Sequence, residues 1–402
     1  RDRRIGMILD KSFPPDPRVE NEAHILMQAG HEIYLFCLDF EGRTSKDSHK
    51  GIQVRRYGSS SFEYRMSALA YTVPIYSLML KGRIESFLKE NEIDVMHVHD
   101  MVVAQAALWA NRSLKLPALL DLHENRPEIM SHYDHLLRFP GKYLVSLNKW
   151  KKKEEELVQE FDYTVVVTDQ ARTELCDRSD VPHSGVVVMP NTVHPEFFSK
   201  AVIDSQIIDK YKDNFTLLYL GDTGIRRGLL TAIEAVHILK DQISSIKLVI
   251  VGANRTDSIL KDRVLKLSVE DFVSFEGWKN EDLFPSYLNA ADVCISPLHR
   301  NPHHDTTLAN KLFQYMGFSK AILASDVLAQ VDILNRSGGG LTHKAENAHD
   351  FAKKCLQLYK NEDRRAEMGN NGKRFLEDEF NLTRVGRPLV KCYSEIEDKA
   401  SK

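Results

Sequence analysis

Two turns in the second half of the chain carry cations and amides that could hold a nucleotide diphosphate. The stretch GDTGIRRG (221–228) separates a strand pattern from a helix pattern, and its Arg227 lies where a pyrophosphate would meet a helix N-terminus. The stretch TTLANKLFQYMG (306–317) opens another helix, with Lys311 near its start and Gln314 one turn later. Lys311 can supply a second cation for the same phosphates, and the Gln314 amide can hydrogen-bond a sugar hydroxyl. The alternative is that both turns are plain surface connections with solvated side chains.

Polar loops after two strand patterns in the first half carry a second set of candidates. The loop after the first strand contains Asp16 and Arg18 and is stiffened by prolines. The stretch DLHENRPE (121–128) places His123 and Glu124 at the carboxyl end of another strand. Although a single histidine usually has a structural role, this polar surrounding favours a role in ligand binding.

A histidine pair on a strand raises the question of a metal site. In HVHD (97–100) both histidine rings point to the same face of the strand. We place His99 on the acceptor side of the site and expect the other ring to form its hydrogen bonds within the fold. We expect no metal at this pair, nor at His303 and His304.

Charge, cysteine usage and glycine spacing exclude several classes of protein. The chain has 54 basic and 57 acidic residues and a formal charge of -3, which offers no global attraction to nucleic acid. Its five cysteines are far apart and include no CxxC pair, which is typical of isolated thiols in a reducing compartment. GDTGIRRG fits neither a GxGxxG nor a Walker loop. The most apolar run, Ala68 to Leu80, is about 13 residues and too short to span a bilayer. We expect a cytoplasmic protein whose membrane contact, if any, is peripheral.

The elements that must position these residues are strands and helices in alternation, which predicts parallel sheets with crossover helices. The predicted strands are 5–9, 32–36, 53–57, 94–98, 118–122, 164–168 and 186–189 in the first half and 216–221, 247–252, 272–277, 292–297 and 321–325 in the second. MPNTVHPEFF (189–198) has two prolines and no period, so we place a hinge there.

This pattern predicts an α/β protein with two Rossmann-like domains, residues 1–192 and 193–385. Residues 386–402 are predicted to form a C-terminal helix that starts near Pro388 and could cross back to the first domain. Because such sheets bind ligands at the carboxyl ends of their strands, we expect the site in a cleft between the domains.

Taken together, these stretches resemble the GT4 family of retaining glycosyltransferases with the GT-B fold. The resemblance rests on the order and spacing of FPPDPRVENEAHILMQAGHE, DLHENRPE, MPNTV, LYLGDTGIRRG and NKLFQYMGFSKAILASD, which cover nearly the whole chain. It implies two Rossmann-like domains facing each other across a central cleft. It also implies a nucleotide-diphosphate sugar as donor, a saccharide or lipid-linked acceptor, no nucleic acid partner, and neither metal nor other cofactor.

The resemblance further implies a role for each candidate residue. Arg227 and Lys311 would neutralise the leaving diphosphate, Trp278 would lie near the nucleobase, and His123 would contact the transferred sugar. The expected catalytic residues are thus His123, Arg227 and Lys311. The expected donor-binding residues are Gly221, Asp222, Arg227, Trp278, Thr306, Thr307, Leu308, Lys311 and Gln314. The expected acceptor-side residues are Asp16, Arg18, His99 and Glu124.

Two positions depart from the family pattern. The family holds the ribose with a carboxylate of an EX7E pattern, whereas this chain has Gln314 in the second position and Thr306 eight residues earlier. Since a carboxylate accepts hydroxyl hydrogen bonds more strongly than an amide, Gln314→Glu is expected to hold or raise donor affinity. Asp222 stands where many members have an arginine, which either leaves Arg227 as the main cation or impairs donor binding.

Two other functions are compatible with the sequence. A nucleotide-sugar epimerase of GT-B fold would need acid and base groups on both faces of the sugar, for which His123 and Glu124 form the densest candidate group. A non-catalytic relative that binds a sugar nucleotide or a partner transferase is favoured by Gln314.

Membrane contact is a further expectation. The segments 65–83 and 136–153 mix apolar and aromatic residues with Arg and Lys, and such surfaces can lie on an anionic membrane. The alternative is that their apolar residues face the core and their lysines form a solvated helix face.

Overall fold

The computed structural model describes residues 2–124, 126–130, 146–199 and 201–400. The chain divides into two compact units, a first unit of Arg1–Pro190 with Val385–Lys402 and a second unit of Asn191–Arg384. Each unit has its own sheet and its own buried core.

The sheet of the first unit has the strand order β3-β4-β2-β1-β5-β6-β7-β8 among the described residues. Its strands are β1 (Arg4–Ile8), β2 (Glu32–Asp39), β3 (Lys46–His49), β4 (Ile52–Gly58), β5 (Val95–His99), β6 (Ala118–Asp121), β7 (Tyr163–Val166) and β8 (Val186–Val188). Neighbouring strands pair in parallel, except that β3 is antiparallel to β4. The central strands are mainly apolar, as expected where helices cover both faces of a parallel sheet.

The helices of this unit connect those strands. They are α1 (Pro17–Gln28), α2 (Ser61–Met66), α3 (Ile75–Glu90), α4 (Ala104–Asn111), α5 (Arg126–Met130), α6 (Leu147–Glu160) and α7 (Asp169–Ser179). Local sequence sets where they begin: Thr168 caps α7 by accepting from the N–H of Ala171 over 3.0 Å.

The second unit has a parallel sheet with the order β11-β10-β9-β12-β13-β14 in the described part of the chain. Its strands are β9 (Phe215–Leu220), β10 (Ile246–Val251), β11 (Val273–Gly277), β12 (Val293–Ser296), β13 (Ala321–Ser325) and β14 (Gly340–His343). Its helices are α8 (Glu196–Ser199), α9 (Ser205–Tyr211), α10 (Leu229–Leu239), α11 (Asp257–Leu267), α12 (Phe284–Ala290), α13 (Pro302–Thr306), α14 (Asn310–Gly317), α15 (Leu328–Ser337), α16 (Ala348–Lys360) and α17 (Glu362–Asp378), and α18 (Leu382–Ala400) follows.

The strand order of the second unit determines where a ligand can bind. Strand β9 pairs with β10 on one side and with β12 on the other, so the order of strands reverses beside it. A crevice forms at the carboxyl ends of strands at such a point. The turn that begins at Gly221 follows β9, and the loop 297–309 follows β12. The fold therefore brings the two turns singled out in the sequence to the same edge of the sheet.

The C-terminal helix begins earlier than the sequence predicted. Helix α18 starts at Leu382 and contains Pro388, whereas the prediction placed its start near Pro388. Asn381 sets the start, because its Oδ1 accepts from the N–H of Arg384 over 3.0 Å. Proline lacks a backbone N–H, but its fixed φ is compatible with a helix, and α18 continues through it.

Each predicted strand overlaps an observed one, but two observed strands were not predicted. Strand β3 is a polar edge strand, KDSH, without the apolar alternation that marks a strand. Strand β14 begins at Gly340, where a Cβ would lie 2.0 Å from the carbonyl oxygen of Ile322. Glycine is therefore required by close strand pairing at a position that resembles a loop in the sequence.

Candidate functional site

The turn after β9 holds Arg227 beside a carboxylate. Ile225–Arg227 forms a 3₁₀ turn that ends at Gly228, where φ is 80° and a Cβ would lie 1.7 Å from the carbonyl oxygen of Pro297. Only glycine fits there, so this residue determines the turn geometry. Arg227 Nε donates to Asp222 Oδ2 over 3.1 Å. The described residues offer the guanidinium no other partner, so its two terminal nitrogens are available to a ligand.

Asp222 acts as the positioning partner of Arg227. Asn254 Nδ2 donates to the other carboxyl oxygen of Asp222 over 2.7 Å. Partial burial works against ionisation of this carboxyl, but the hydrogen bonds from Asn254 and Arg227 lower its pKa below the ordinary value. Asp222 is thus a charged acceptor that orients Arg227, and it presents no donor to a phosphate.

Lys311 lies in the first turn of α14 and has only 9% of its surface exposed. Its Nζ lies 3.8 Å from the centroid of the Tyr219 ring and 3.3 Å from the position that a Cβ on Gly221 would take. Within the described ranges, no carboxylate oxygen comes within 4 Å of this ammonium. Burial, and then the neighbouring Arg227, lower the pKa of Lys311 well below its ordinary value of 10.5. Because an uncompensated buried cation is costly, Lys311 is suited to an anionic ligand.

The loop between α13 and α14 leads into a helix N-terminus whose N-cap residue, Ala309, has no capping side chain. Thr306 Oγ1 donates to the carbonyl oxygen of Pro302 over 2.8 Å, and Thr307 Oγ1 donates to that of His303 over 2.9 Å. Leu308 is buried. These side chains shape the loop, while the N–H groups at the start of α14 carry the partial positive charge that favours an anion.

Gln314 contacts a residue that the sequence patterns did not indicate. It is buried one turn after Lys311, and its Nε2 donates to Glu281 Oε1 over 2.7 Å. Partial burial of the carboxyl and the neighbouring Asp282 raise the pKa of Glu281. Trp278, in the same loop after β11, is 74% exposed. Glu281 is 33 positions away from Gln314 in the sequence, so their contact could not be predicted from spacing. The available sequence signal for Glu281 was that it lies close to Trp278.

In the first unit, Arg18 lies at the centre of a buried ion-pair network. Its Nε and Nη2 donate to the two oxygens of Asp121 over 2.8 and 2.6 Å, and Nη2 lies 2.9 Å from Glu22 Oε1. Nη1 donates to the carbonyl oxygen of Met189 over 3.0 Å. Burial opposes ionisation of Asp121, but the Arg18 guanidinium holds the pKa of that carboxyl well below its usual range. Arg18 therefore binds α1 to the end of β6.

His123 and His99 extend this network from Asp121. His123 Nε2 lies 2.9 Å and His99 Nδ1 lies 3.2 Å from the same carboxyl oxygen of Asp121. Burial lowers the pKa of His99, whereas for His123 the Asp121 carboxylate outweighs burial and raises the pKa. The side chain of His123 is 11% exposed, and the described residues give its Nδ1 no partner. His123 is thus held by one ring nitrogen and can offer the other to a ligand.

The composition of this network would also suit a metal ion. Glu22, His97, His99 and Asp121 are buried, and each offers a ligand atom within 4.8 Å of the others. Such sets of imidazole and carboxylate groups hold transition metals. Here Arg18 donates to both carboxylate oxygens of Asp121 and forms an ion pair with Glu22, so a guanidinium already balances their charge and would repel a cation. We therefore interpret the group as an ion-pair network.

Asp16 and Glu124 stand apart from this network. Asp16 is the N-cap of α1, and its Oδ1 accepts from the N–H groups of Arg18 and Val19, each over 3.1 Å. Glu124 is exposed after β6, and its carboxyl has no partner in the part of the chain that the structure describes. Asp16 thus starts a helix, and Glu124 is free to contact a ligand.

A cavity of about 550 Å³ opens at the carboxyl ends of β1, β2 and β4. It is lined by Lys11 and Ser12, by the serines at 59–61, and by Phe40 and Tyr64. The two aromatic rings form a T-shaped pair with centroids 5.6 Å apart. This combination of aromatic edges, hydroxyl groups and one cation was not apparent in the sequence, because its members come from separate stretches of the chain.

The two segments considered for membrane contact differ in what the structure describes. In the segment 65–83, Ile75 and Leu78 are 47% and 60% exposed. Residues 136–145 of the other segment lie outside the described residues, and its Trp150 is buried. Of the helices that the structure describes, none is both long enough and apolar enough to cross a membrane.

Comparisons with known proteins match both units. The family model described as glycosyl transferases group 1 matches residues 203–375, and the one described as glycosyltransferase family 4 matches residues 18–197. The chain belongs to the GT4 family of glycosyltransferases. Alpha-monoglucosyldiacylglycerol synthase of Streptococcus pneumoniae is 21% identical to this GT4 chain over 396 residues, covering 89% of this chain and 85% of that protein.

Solved structures show the fold of this GT4 chain. Sucrose-phosphate synthase from Thermosynechococcus elongatus matches with a TM-score of 0.76 at 15% identity, covering 99% of this chain and 100% of that one. Anabaena HepE in complex with UDP-glucose matches with a TM-score of 0.70 at 11% identity, covering 98% and 100%. The chain has the GT-B fold, which confirms the fold class and the family resemblance predicted from the sequence.

Proposed function

We propose that this GT4 chain is a retaining glycosyltransferase that moves a sugar from a nucleotide-diphosphate sugar to an acceptor hydroxyl in polysaccharide or glycolipid assembly. The observation that carries the proposal is Lys311, a buried ammonium in the first turn of a helix with no carboxylate partner among the described residues. Arg227 adds a second cation, close enough to lower the pKa of Lys311. Two cations beside a helix N-terminus are suited to a diphosphate.

The same cations provide the stabilisation that this reaction needs most. When the bond between sugar C1 and the diphosphate oxygen breaks, negative charge grows on the diphosphate and the sugar acquires oxocarbenium character. Lys311 and Arg227 neutralise that charge, so hexosyl transfer proceeds without a metal ion in this proposal. An oxygen of the leaving diphosphate takes the proton of the acceptor hydroxyl, and the new C1–O bond forms on the face from which the diphosphate departs.

His123 serves as a contact for the transferred sugar in this proposal. Its Nε2 is held by Asp121, which leaves Nδ1 for a sugar hydroxyl. Because the imidazole is fixed on one side by a buried carboxylate, it is suited to orienting the sugar. The complex of HepE with UDP-glucose supports a nucleotide-sugar donor for this GT4 chain.

We place the acceptor in the cavity lined by Phe40, Tyr64 and Lys11. Aromatic rings pack against the apolar faces of sugars, and serine hydroxyls exchange hydrogen bonds with sugar hydroxyls. The name of the S. pneumoniae relative, a synthase of a glucosylated diacylglycerol, supports a lipid-linked acceptor. Exposed Ile75 and Leu78 in the same unit are consistent with peripheral contact to the membrane that carries such an acceptor.

Donor binding without transfer is the second candidate function. It is favoured by Gln314, which replaces the charged ribose ligand of the family. An epimerase is less favoured, because Glu124 is exposed, has no partner among the residues that the structure describes, and does not join His123 in an acid–base pair.

A thermal-shift screen with UDP-, GDP- and ADP-sugars tests the proposed function. A donor that binds the folded protein raises its melting temperature, and the shift grows with the logarithm of the donor concentration relative to its dissociation constant. Lys311→Met should lose this shift, whereas Lys266→Met, which changes an exposed lysine of α11 in the same unit, should keep it. No shift of the wild-type protein with any of these donors would contradict the proposal.

A further inference from the structure

Gln314 is by itself a weaker ribose ligand than a glutamate. The ribose of a nucleotide presents two neighbouring hydroxyl donors, O2′–H and O3′–H, and a carboxylate can accept from both. A primary amide has a single acceptor oxygen. The NH₂ group of Gln314 is moreover engaged, because Nε2 donates to Glu281 Oε1 over 2.7 Å. The two ribose hydroxyls would therefore have to share one neutral oxygen unless another residue supplies a second acceptor.

Glu281 can supply that acceptor. It lies at the surface with its carboxyl partly buried, and it begins a 3₁₀ turn in the loop after β11. Asn280 holds this turn by accepting from the N–H of Asp282 over 3.1 Å. In the described chain, Gln314 is the partner of the Glu281 carboxyl, and no Lys or Arg nitrogen lies within 4 Å of it. Its second oxygen is thus available, and its charge is not balanced by an ion pair.

The chemistry of the pair fixes its orientation. A carboxylate only accepts hydrogen bonds, so Gln314 must turn its NH₂ group towards Glu281 and its Oε1 away from it. The pair consequently offers two acceptor oxygens, Gln314 Oε1 and Glu281 Oε2, that are linked through one hydrogen bond. Two linked acceptors match the two donors of a ribose diol.

We propose that Glu281 takes over the role of the missing family carboxylate, accepting a hydrogen bond from one ribose hydroxyl, while Gln314 positions Glu281 and accepts from the other hydroxyl. This proposal rests on the proposed function and names the residues that make its donor site selective for ribose. It reverses the sequence-based expectation for Gln314→Glu. A glutamate at that position would bring two carboxylates into contact, and two such close groups cannot both stay ionised, so this variant should weaken donor binding.

The test compares ribonucleotides with their 2′,3′-dideoxy forms by titration calorimetry. The probes are UDP and 2′,3′-dideoxy-UDP, together with the corresponding GDP and ADP pairs. The dideoxy form lacks both hydroxyls, so it reports phosphate and base binding alone. The wild-type protein should prefer the ribonucleotide by roughly ten- to hundredfold, the range for hydrogen bonds to a charged group. Glu281→Gln should lose most of this preference and leave the affinity for the dideoxy form unchanged.

Two further variants separate a ribose contact from a structural role. Asp282→Asn removes the adjacent exposed carboxyl, which does not contact Gln314, and should keep the preference. Gln314→Glu combined with Glu281→Gln restores one carboxylate and one amide in exchanged positions. This exchange variant should recover the ribose preference that Gln314→Glu alone loses, and its recovery would exclude misfolding as the cause of the loss.

Three results would overturn the proposal. Equal weakening of the ribonucleotide and the dideoxy form by Glu281→Gln would show that Glu281 does not contact the ribose. A failure of the exchange variant to recover the preference would show that the two residues do not act as a pair. If the wild-type protein binds none of the nucleotides in either form, the proposed function itself is wrong, and the ribose assignment is wrong with it.

Discussion

Replacing Lys311 by Met should weaken diphosphate binding without destabilising the free protein. Methionine keeps a long apolar side chain and removes the charge. The Nζ of Lys311 has no carboxylate partner among the described residues, and its stabilising contact is the Tyr219 ring at 3.8 Å. A cation–π contact contributes about 0.5 to 2 kcal/mol. Burial of the charge opposes this gain, in line with the lowered pKa of Lys311. Loss of the ammonium should therefore leave the free energy of unfolding nearly unchanged or raise it.

For the complex, the effect of Lys311→Met has the opposite sign. A hydrogen bond from an ammonium to a phosphate contributes about 1.5 to 3 kcal/mol, which corresponds to roughly a ten- to hundredfold change in dissociation constant. Titration with UDP, GDP and ADP measures this loss, and thermal unfolding without ligand measures stability. Lys266→Met, on the exposed face of α11, should change neither quantity.

Lys311 also gives a pH dependence whose sign follows from its lowered pKa. Between the folded-state pKa and the ordinary value of 10.5, the unfolded chain holds a proton that the folded chain has lost. The free energy of unfolding should therefore rise with pH in that window. Below the folded-state pKa, the folded protein bears the full cost of burying the charged amine, and this group no longer makes stability depend on pH. Lys311→Met should abolish this rise. Since a bound diphosphate favours the ammonium, nucleotide binding should take up a proton in the same window.

Two outcomes would refute this reasoning. A melting temperature that falls by several degrees in Lys311→Met would show that the free protein already neutralises the ammonium. Unchanged nucleotide affinity in the same variant would show that Lys311 does not contact the diphosphate.

Three further predictions concern other parts of the molecule. Arg227→Ala should weaken nucleotide-diphosphate binding by about 1.5 to 3 kcal/mol, and unchanged affinity in titration would remove Arg227 from the phosphate site. Arg18→Met leaves Asp121 and Glu22 buried without their cation, so urea unfolding should show a loss of about 3 to 5 kcal/mol, and a loss below about 1 kcal/mol would contradict the network. The protein should sediment with anionic vesicles at low salt, and neutralising the four lysines of α6 should weaken this binding by about 1 kcal/mol each. These lysines are Lys149, Lys151, Lys152 and Lys153. Protein that stays in the supernatant, or binding that is unchanged in the lysine variant, would rule out membrane docking by α6.

The sheets could be predicted from the sequence because their central strands are short, mainly apolar runs in which almost every residue is buried. The runs RIGMI in β1 and IKLVIV in β10 are typical examples. The polar strand β3 could not be predicted, because its strand conformation comes from pairing with β4 and not from its own residues. The start of α18 was missed because proline is usually a signal for the first turn of a helix, whereas Asn381 caps this one.

The candidate site was predictable where it depends on local spacing. Lys311 and Gln314 lie one helical turn apart on α14, as the sequence indicates. The partners of these and other residues were not predictable, because tertiary packing selects them. Gln314 meets Glu281 across 33 positions, and Arg18 meets Asp121 across 103 positions. Local spacing in the sequence therefore predicted which polar groups the site contains, but not which of them contact one another.

Turnover measures the central claim most directly. The nucleotide sugar that stabilises the protein is incubated with and without a panel of saccharide and lipid-linked acceptors, and the products are followed by NMR. Retaining transfer predicts release of the nucleoside diphosphate that depends on an acceptor, with the anomeric configuration of the donor kept in the product. Conversion of the donor to its epimer without any acceptor, or an inverted configuration in the product, would contradict the proposed function.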